Sequence, residues 1–307
     1  MDPIKNKIQN TSKETRQDLY GRIISYSCII LIVVVVLSIF FFVASKGIAT
    51  FTINHVNLWN FLSGKNWNPA VTDDSGHAEL GALPMIVGSF GVTFLAALFA
   101  TPFAVGTALY MTEIASHRDE KFLQSVVELL VGIPSVVYGF IGLSVVVPFI
   151  RHHFGGSGYG ILSGAIVLFV MVLPTITSMT VDSLRAVPRF YKEASLALGA
   201  TKWQTIYKVI LRAATSGILT AIIFGMARAF GEALAVQMVI GNNAVMPKGL
   251  FSSASTLTSV LTMGIGNTVM GTVSNNALWS LALILLLMSL VFNIIVRLIG
   301  RKGRMQS

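Results

Sequence analysis

The sequence predicts an all-α membrane protein of about six transmembrane helices with both termini cytoplasmic. Three observations predict it. Hydrophobic residues make up 54% of the 307 positions and charged residues only 11%, against roughly 25% charged in soluble domains. Apolar stretches of about twenty residues recur along the chain, each long enough to cross the hydrocarbon layer at 1.5 Å per residue. Lys and Arg collect in alternate connecting segments, which is the pattern that orients membrane helices.

In chain order, residues 1–22 form a polar, basic tail with Lys5, Lys7, Lys13, Arg16 and Arg22. Ile23 to Val43 is an uncharged apolar run and predicts the first span. It is too long for a signal-peptide core and has no convincing cleavage site after it. The loop 46–83 holds Trp59 and Trp67, suited to a membrane interface, and the acidic Asp73-Asp74. Pro84 to Thr112 predicts the second span and Glu113 to Ser125 a short charged loop. Val126 to Ile150 predicts the third, with Glu128 near its start and a kink at Pro134. Ser135, Gly139 and Gly142 stand at i, i+4 and i+7, so with Gly132 they predict a small-residue face for close helix packing. Tyr159 to Val181 predicts the fourth span, with Pro174 near its end, and Ser216 to Ile240 the fifth. Residues 241–277 are rich in Gly, Ser, Thr and Asn; Leu257, Val260, Leu261 and Ile265 suggest a short or partly inserted helix. Ala277 to Ile299 predicts the sixth span, before a basic end at 300–307.

Placing the N-terminus inside puts 5 Lys or Arg in the tail, 2 in 113–125, 6 in 182–213 and 4 at the C-terminal end on one side. Only 4 fall in the opposite loops, and Arg228 lies within a span. The net charge of +9 is therefore a topology signal and not a nucleic-acid footprint. Cys28 is alone, so no intramolecular disulfide forms.

The polar segment 182–213 between two spans contains its own helix signals. Pro188 suits a first helical turn and Arg189 to Leu198 are good helix formers. Gly199 ends that helix, and Thr201-Lys-Trp-Gln204 forms a capping box for a second one. The pattern is helix, glycine turn, helix, too polar to be a span.

Glu193-Ala194-Ser195-x-x-x-Gly199, followed by Val209-x-Leu211, resembles the EAA loop of ATP-binding-cassette importer permeases. The chain departs from that pattern at Ser195, Val209 and Arg212. Three more blocks are similar to the permease subunit of phosphate importers of the PstC type. They are Glu128 to Gly142, Leu184 to Pro188, and Arg228 to Asn242. The resemblance implies the type I importer fold, with a first helix and extracytoplasmic loop at 23–83 and a transport core at 84–299. It implies that Glu193, Ala194, Gly199 and Thr201 couple the chain to an ATPase. It also implies a related second permease, two ATP-binding-cassette subunits, an extracytoplasmic phosphate-binding protein, and ATP and Mg used by the ATPase with none bound here.

Arg228 and Glu232 stand four apart in the predicted fifth span, which places them on one helical face. Each costs roughly 2.5–3.5 kcal/mol at a bilayer centre, so they face a bundle interior or a water-filled path. Either they neutralise each other and fix packing, or they line an anion route. Within the resemblance the pair is associated with transport. The sequence contains no Gly-x-x-x-x-Gly-Lys-Ser/Thr loop, so a separate ATPase is expected. His152-His153 has no Cys nearby and no convincing carboxylate set, so no metal site is expected. Rival readings are a permease for molybdate or sulfate, an ion-coupled transporter or channel, and a surface scaffold.

Overall fold

Six helices among the described residues are long and apolar enough to cross a membrane. The computed structural model describes the backbone of residues 13–72 and 78–304. Residues 1–12, which include Lys5 and Lys7, and the Asp73-Asp74 pair lie outside the described residues. Helix α1 (Lys13–Thr52) is followed by α2 (Leu58–Ser63), the hairpin β1 (Trp67–Thr72) and β2 (Ala78–Leu80), and α3 (Leu83–Leu109), which closes in a π-helical turn, Tyr110–Ile114. Next come α4 (His117–Gly132), α5 (Ser135–Ile141) and α6 (Val147–Phe154), the last two joined by a π-helical turn, Gly142–Val146. Helix α7 (Ile161–Arg185) leads to α8 (Arg189–Ala197), then α9 (Lys202–Thr205), which runs through the π-helical turn Ile206–Ile210 into α10 (Leu211–Phe230). The chain ends with α11 (Leu234–Val239), α12 (Leu257–Gly264) and α13 (Val273–Arg304).

The first span is longer than expected, Gln17–Thr52, the sixth starts earlier, at Val273, and three others differ, each for a local reason. The third begins at Ser135 and not at Val126, because Ile133 and Pro134 are extended (ψ 127° and 140°) and break the chain between α4 and α5. Proline disfavours helical geometry in the residue before it, so Pro134 separates two helices where a kink was expected. Glu128 consequently lies on the amphipathic helix α4, exposed, accepting from Gln124 Nε2 at 2.8 Å. Pro174 sits in the interior of α7, because that helix runs on to Arg185. The fifth span begins at Lys202 and stops at Phe230. The second half of the polar loop is thus the start of a membrane helix, and residues 234–239 form a separate short helix.

The loop 46–83 is largely structured. Helix α1 continues to Thr52, and Asn57 caps α2 by accepting from Trp59 N at 2.8 Å. Trp59 is 74% exposed, whereas Trp67 packs edge-on against the buried Phe61. In the segment 241–277, Thr256 caps α12: its hydroxyl accepts from Ser259 N at 3.1 Å, and its own N–H donates to Ser259 Oγ at 2.9 Å.

The core is stacked in three clusters along the bundle. In the middle, Ala96, Ala100 and Ala104 of α3 pack against Leu168, Val172 and Ile176 of α7, the small residues allowing close approach. At one end Phe61, Met85, Leu257 and Leu281 join α2, α3, α12 and α13. At the other end Met111, Val181, Leu184, Ile206 and Ile210 join α3 and α7 to the start of the fifth span. The first helix stands apart: residues 18–42 are exposed, and α1 meets α13 where Ser280 Oγ donates to Gly47 O at 2.7 Å.

Candidate functional site

The fifth span opens at Gly231, and the polar residues gather there. Arg228 lies in the last turn of α10, where the negative end of the helix dipole favours a cation. Its guanidinium donates to Thr175 Oγ1, a nearly buried hydroxyl one residue beyond Pro174 in α7. Arg228 itself is exposed on the surface of the chain. Glu232 lies beyond the helix end, so it does not share a helical face with Arg228. Among the described residues the two form no ion pair. Glu232 Oε1 accepts instead from Ala235 N at 3.2 Å, and Glu232 O accepts from Thr258 Oγ1 at 2.9 Å. The mutual-neutralisation geometry therefore gives way to a broken helix. Its loose end is held by a hydroxyl from α12, a further hydroxyl of which (Thr262 Oγ1) donates to Gln237 Oε1 at 2.7 Å.

The small-residue face divides. A Cβ placed on Gly139 would stand 2.7 Å from Met238 Sδ and 2.9 Å from Ala235 Cα, and one on Gly142 would stand 2.4 Å from Val167 Cγ2. These two glycines admit α11 and α7. Gly132 is exposed at the end of α4 with nothing within 4 Å of such an atom, Pro134 caps α5, and Ser135 is half-buried. The adjoining Tyr138 hydroxyl donates to Leu130 O at 2.8 Å, bridging the break that Pro134 makes.

At the opposite side of the core, α8 and α9 are set around Gly199. Gly199 has φ +80°, a left-handed conformation that glycine adopts without strain. Thr201 Oγ1 accepts from Gln204 N at 3.2 Å, and Thr201 N donates to Gln204 Oε1 at 2.9 Å, both arms of the capping box. Glu193, Ala194 and Phe190 (59%) are exposed on α8, as is Leu198 (89%) just beyond its C-terminus. No residue of α8 is buried. A structured helix with an apolar, uncovered face offers a surface for another macromolecule.

Residues 104–305 match the family described as the binding-protein-dependent transport system inner membrane component. This chain belongs to that family. It is a permease subunit of an ATP-binding-cassette importer, a multi-pass protein of the bacterial cell membrane. The permease is 48% identical over 297 residues to the probable ABC transporter permease protein YqgH of Bacillus subtilis (strain 168), covering 96% of this chain and 95% of the relative. It is 34% identical over 276 residues to the phosphate transport system permease protein PstC 1 of Mycobacterium tuberculosis (strain H37Rv), covering 79% and 81%. PstC of Pasteurella multocida (strain Pm70) is 32% identical over 261 residues, covering 78% and 79%. The fold is shared with a chain of a bacterial ABC transporter that imports the acidic polysaccharide alginate, with TM-score 0.61, 12% identity, and 95% and 99% of the two chains covered. It is also shared with a chain of the MetNI methionine ABC transporter, with TM-score 0.52, 23% identity, and 69% and 93% covered. The family match removes the ion-coupled transporter and the scaffold as readings of this permease.

Several polar groups around the permease's helix break were not singled out from sequence. Thr175, Thr258 and Thr262 sit in apolar or low-periodicity stretches and carry no motif. The proline before Thr175 was the available signal, since it marks a place where a helix needs side-chain help to satisfy its backbone.

Proposed function

We propose that this permease forms half of the membrane path of an inorganic phosphate importer. The observation that carries the mechanism is Arg228, a permanent cation in a spanning helix, exposed on the chain and paired with no carboxylate among the described residues. Such a group does not rest against lipid. Its face closes instead against a related second permease, with the path for the anion between them. Guanidinium donors match phosphate oxygens in geometry as well as charge, and Glu232 accepts the proton that phosphate keeps near neutral pH and sulfate lacks. Attraction without a closed cage of donors allows release. The similarity to PstC proteins supports phosphate as cargo; the name of the YqgH relative specifies no substrate.

In this reading the termini and α8 face the cytoplasm. Two ATPase subunits dock on α8, around Glu193, Ala194, Gly199 and Thr201, and use ATP and Mg. The permease binds neither. An extracytoplasmic phosphate-binding protein delivers cargo to the loops at 46–83, 151–158 and 241–277. ATP binding draws the ATPase pair together and moves the docked loops, so the spans alternate between outward and inward openings.

Arg228→Gln is expected to reduce radiolabelled phosphate uptake to background while membrane content and ATPase recovery stay as in wild type. Normal uptake by that variant ends the conduit role. Cargo identity is read separately: phosphate-loaded binding protein should stimulate ATP hydrolysis by the purified complex, and sulfate-loaded protein should not. The reverse result assigns another oxyanion.

A further inference from the structure

Helix α8 has no buried residue, so apolar packing holds it only weakly. Two polar side-chain ties add to it. Ser195 Oγ lies 2.9 Å from Thr205 Oγ1 across the Gly199 turn, linking α8 to the base of the fifth span. Lys192 Nζ donates to Glu113 Oε2 at 2.6 Å, linking α8 to the π-helical turn that closes α3, 79 residues earlier in the chain. The Glu113 side chain is only 9% exposed and that of Lys192 38%. A nearly buried carboxylate is costly unless a cation meets it. Lys192 meets this one, in a cleft of about 640 Å³ that Arg185 and Glu193 also line. A second pair works at the root of the same loop: Arg185, at the end of α7, donates to Glu120 in the first turn of α4. Helices α3 and α7 are the pair that builds the central core.

We propose that the Glu113–Lys192 pair is the joint through which movement of α8 reaches α3 and the transport core, with both side chains acting as positioning residues. This rests on the reading of α8 as the ATPase docking element. The physical basis is stiffness along one route. The Gly199 turn joins α8 to α9 through local backbone hydrogen bonds, Gly199 N to Leu196 O at 3.0 Å and Ala200 N to Ser195 O at 3.2 Å, and one neutral hydroxyl contact. The ion pair joins α8 directly to the long helix that lines the middle of the bundle. A force on the exposed face of α8 is carried by the short, charge-assisted contact.

The test uses the complete importer in proteoliposomes and reads ATP hydrolysed per phosphate moved. Glu113→Gln and Lys192→Gln are each expected to raise that ratio by about tenfold, within the range of coupling between two distant sites, with the ATPase still co-purifying. The exchange variant Glu113→Lys/Lys192→Glu is expected to bring the ratio back to within about threefold of wild type. An unchanged ratio in both single variants overturns the joint. So does an exchange variant no better than the singles. Loss of the ATPase from either single variant's complex assigns the pair to docking and also overturns it. If wild type itself recruits no ATPase, the docking reading fails first, an outcome distinct from the other three.

Discussion

Gly199 shows how one residue sets a turn. Its φ of +80° and the empty space around it mean that a side chain there meets backbone strain and no clash. The left-handed region costs an ordinary residue about 1–2 kcal/mol, more if β-branched. Gly199→Val is therefore expected to shift the angle between α8 and α9 and uncouple hydrolysis from transport, without removing the protein from the membrane. Gly199→Asn, which tolerates this conformation, should retain most of the coupling. Wild-type coupling in the valine variant counts against a docking role for this turn. The capping box at Thr201 and Gln204 was legible because its four-residue spacing is local chemistry. The geometry of Arg228 and Glu232 was not. Spacing of four predicts a shared face only while the helix continues, and α10 ends at Phe230.

At the scale of elements, the breaks carry the information. Pro134 separates a surface helix from a span, and the Gly231 region separates α10 from α11. The first was legible as a proline and misjudged in degree; the second carries no proline, and Gly231 between Arg228 and Glu232 reads as part of one continuous span. Thr258 from α12 holds the loosened backbone at Glu232, and only folding brings it there. Glycines 139 and 142 let α11 and α7 settle against the third span. Gly139→Val is expected to force a shift of α11 at a cost of about 1–3 kcal/mol, as overpacking does. The measurement is the melting temperature of the detergent-solubilised protein: it should fall for Gly139→Val and hold for Gly132→Ala, which meets open space. Equal melting of the two would dismiss the packing role of Gly139.

For the whole molecule, the distribution of Lys and Arg proposes an orientation that labelling tests directly. With Cys28 replaced by Ser, single cysteines at Leu198 and Trp59, exposed at 89% and 74%, should react with a membrane-impermeant maleimide from opposite sides. Leu198→Cys is expected to label in inside-out vesicles and Trp59→Cys in right-side-out ones. The opposite result inverts the topology and moves α8 away from any cytoplasmic ATPase. Exposure of α1 over residues 18–42 belongs to this scale too. A helix so apolar and so little covered by its own chain is completed by lipid or by another subunit.

Composition and apolar run length determined the class and the number of spans, since the cost of burying backbone and charge in lipid leaves helices of about twenty residues as the solution. Local spacing determined the Gly199 turn, the Thr201 cap and the α12 helix, because each depends on groups a few residues apart. Tertiary structure alone decided which polar groups meet. Thr175 with Arg228, Thr258 with Glu232 and Lys192 with Glu113 are joined across 53, 26 and 79 residues. Hydrogen-bond reach is a few ångströms, and no periodicity in a sequence encodes which distant helix comes that close.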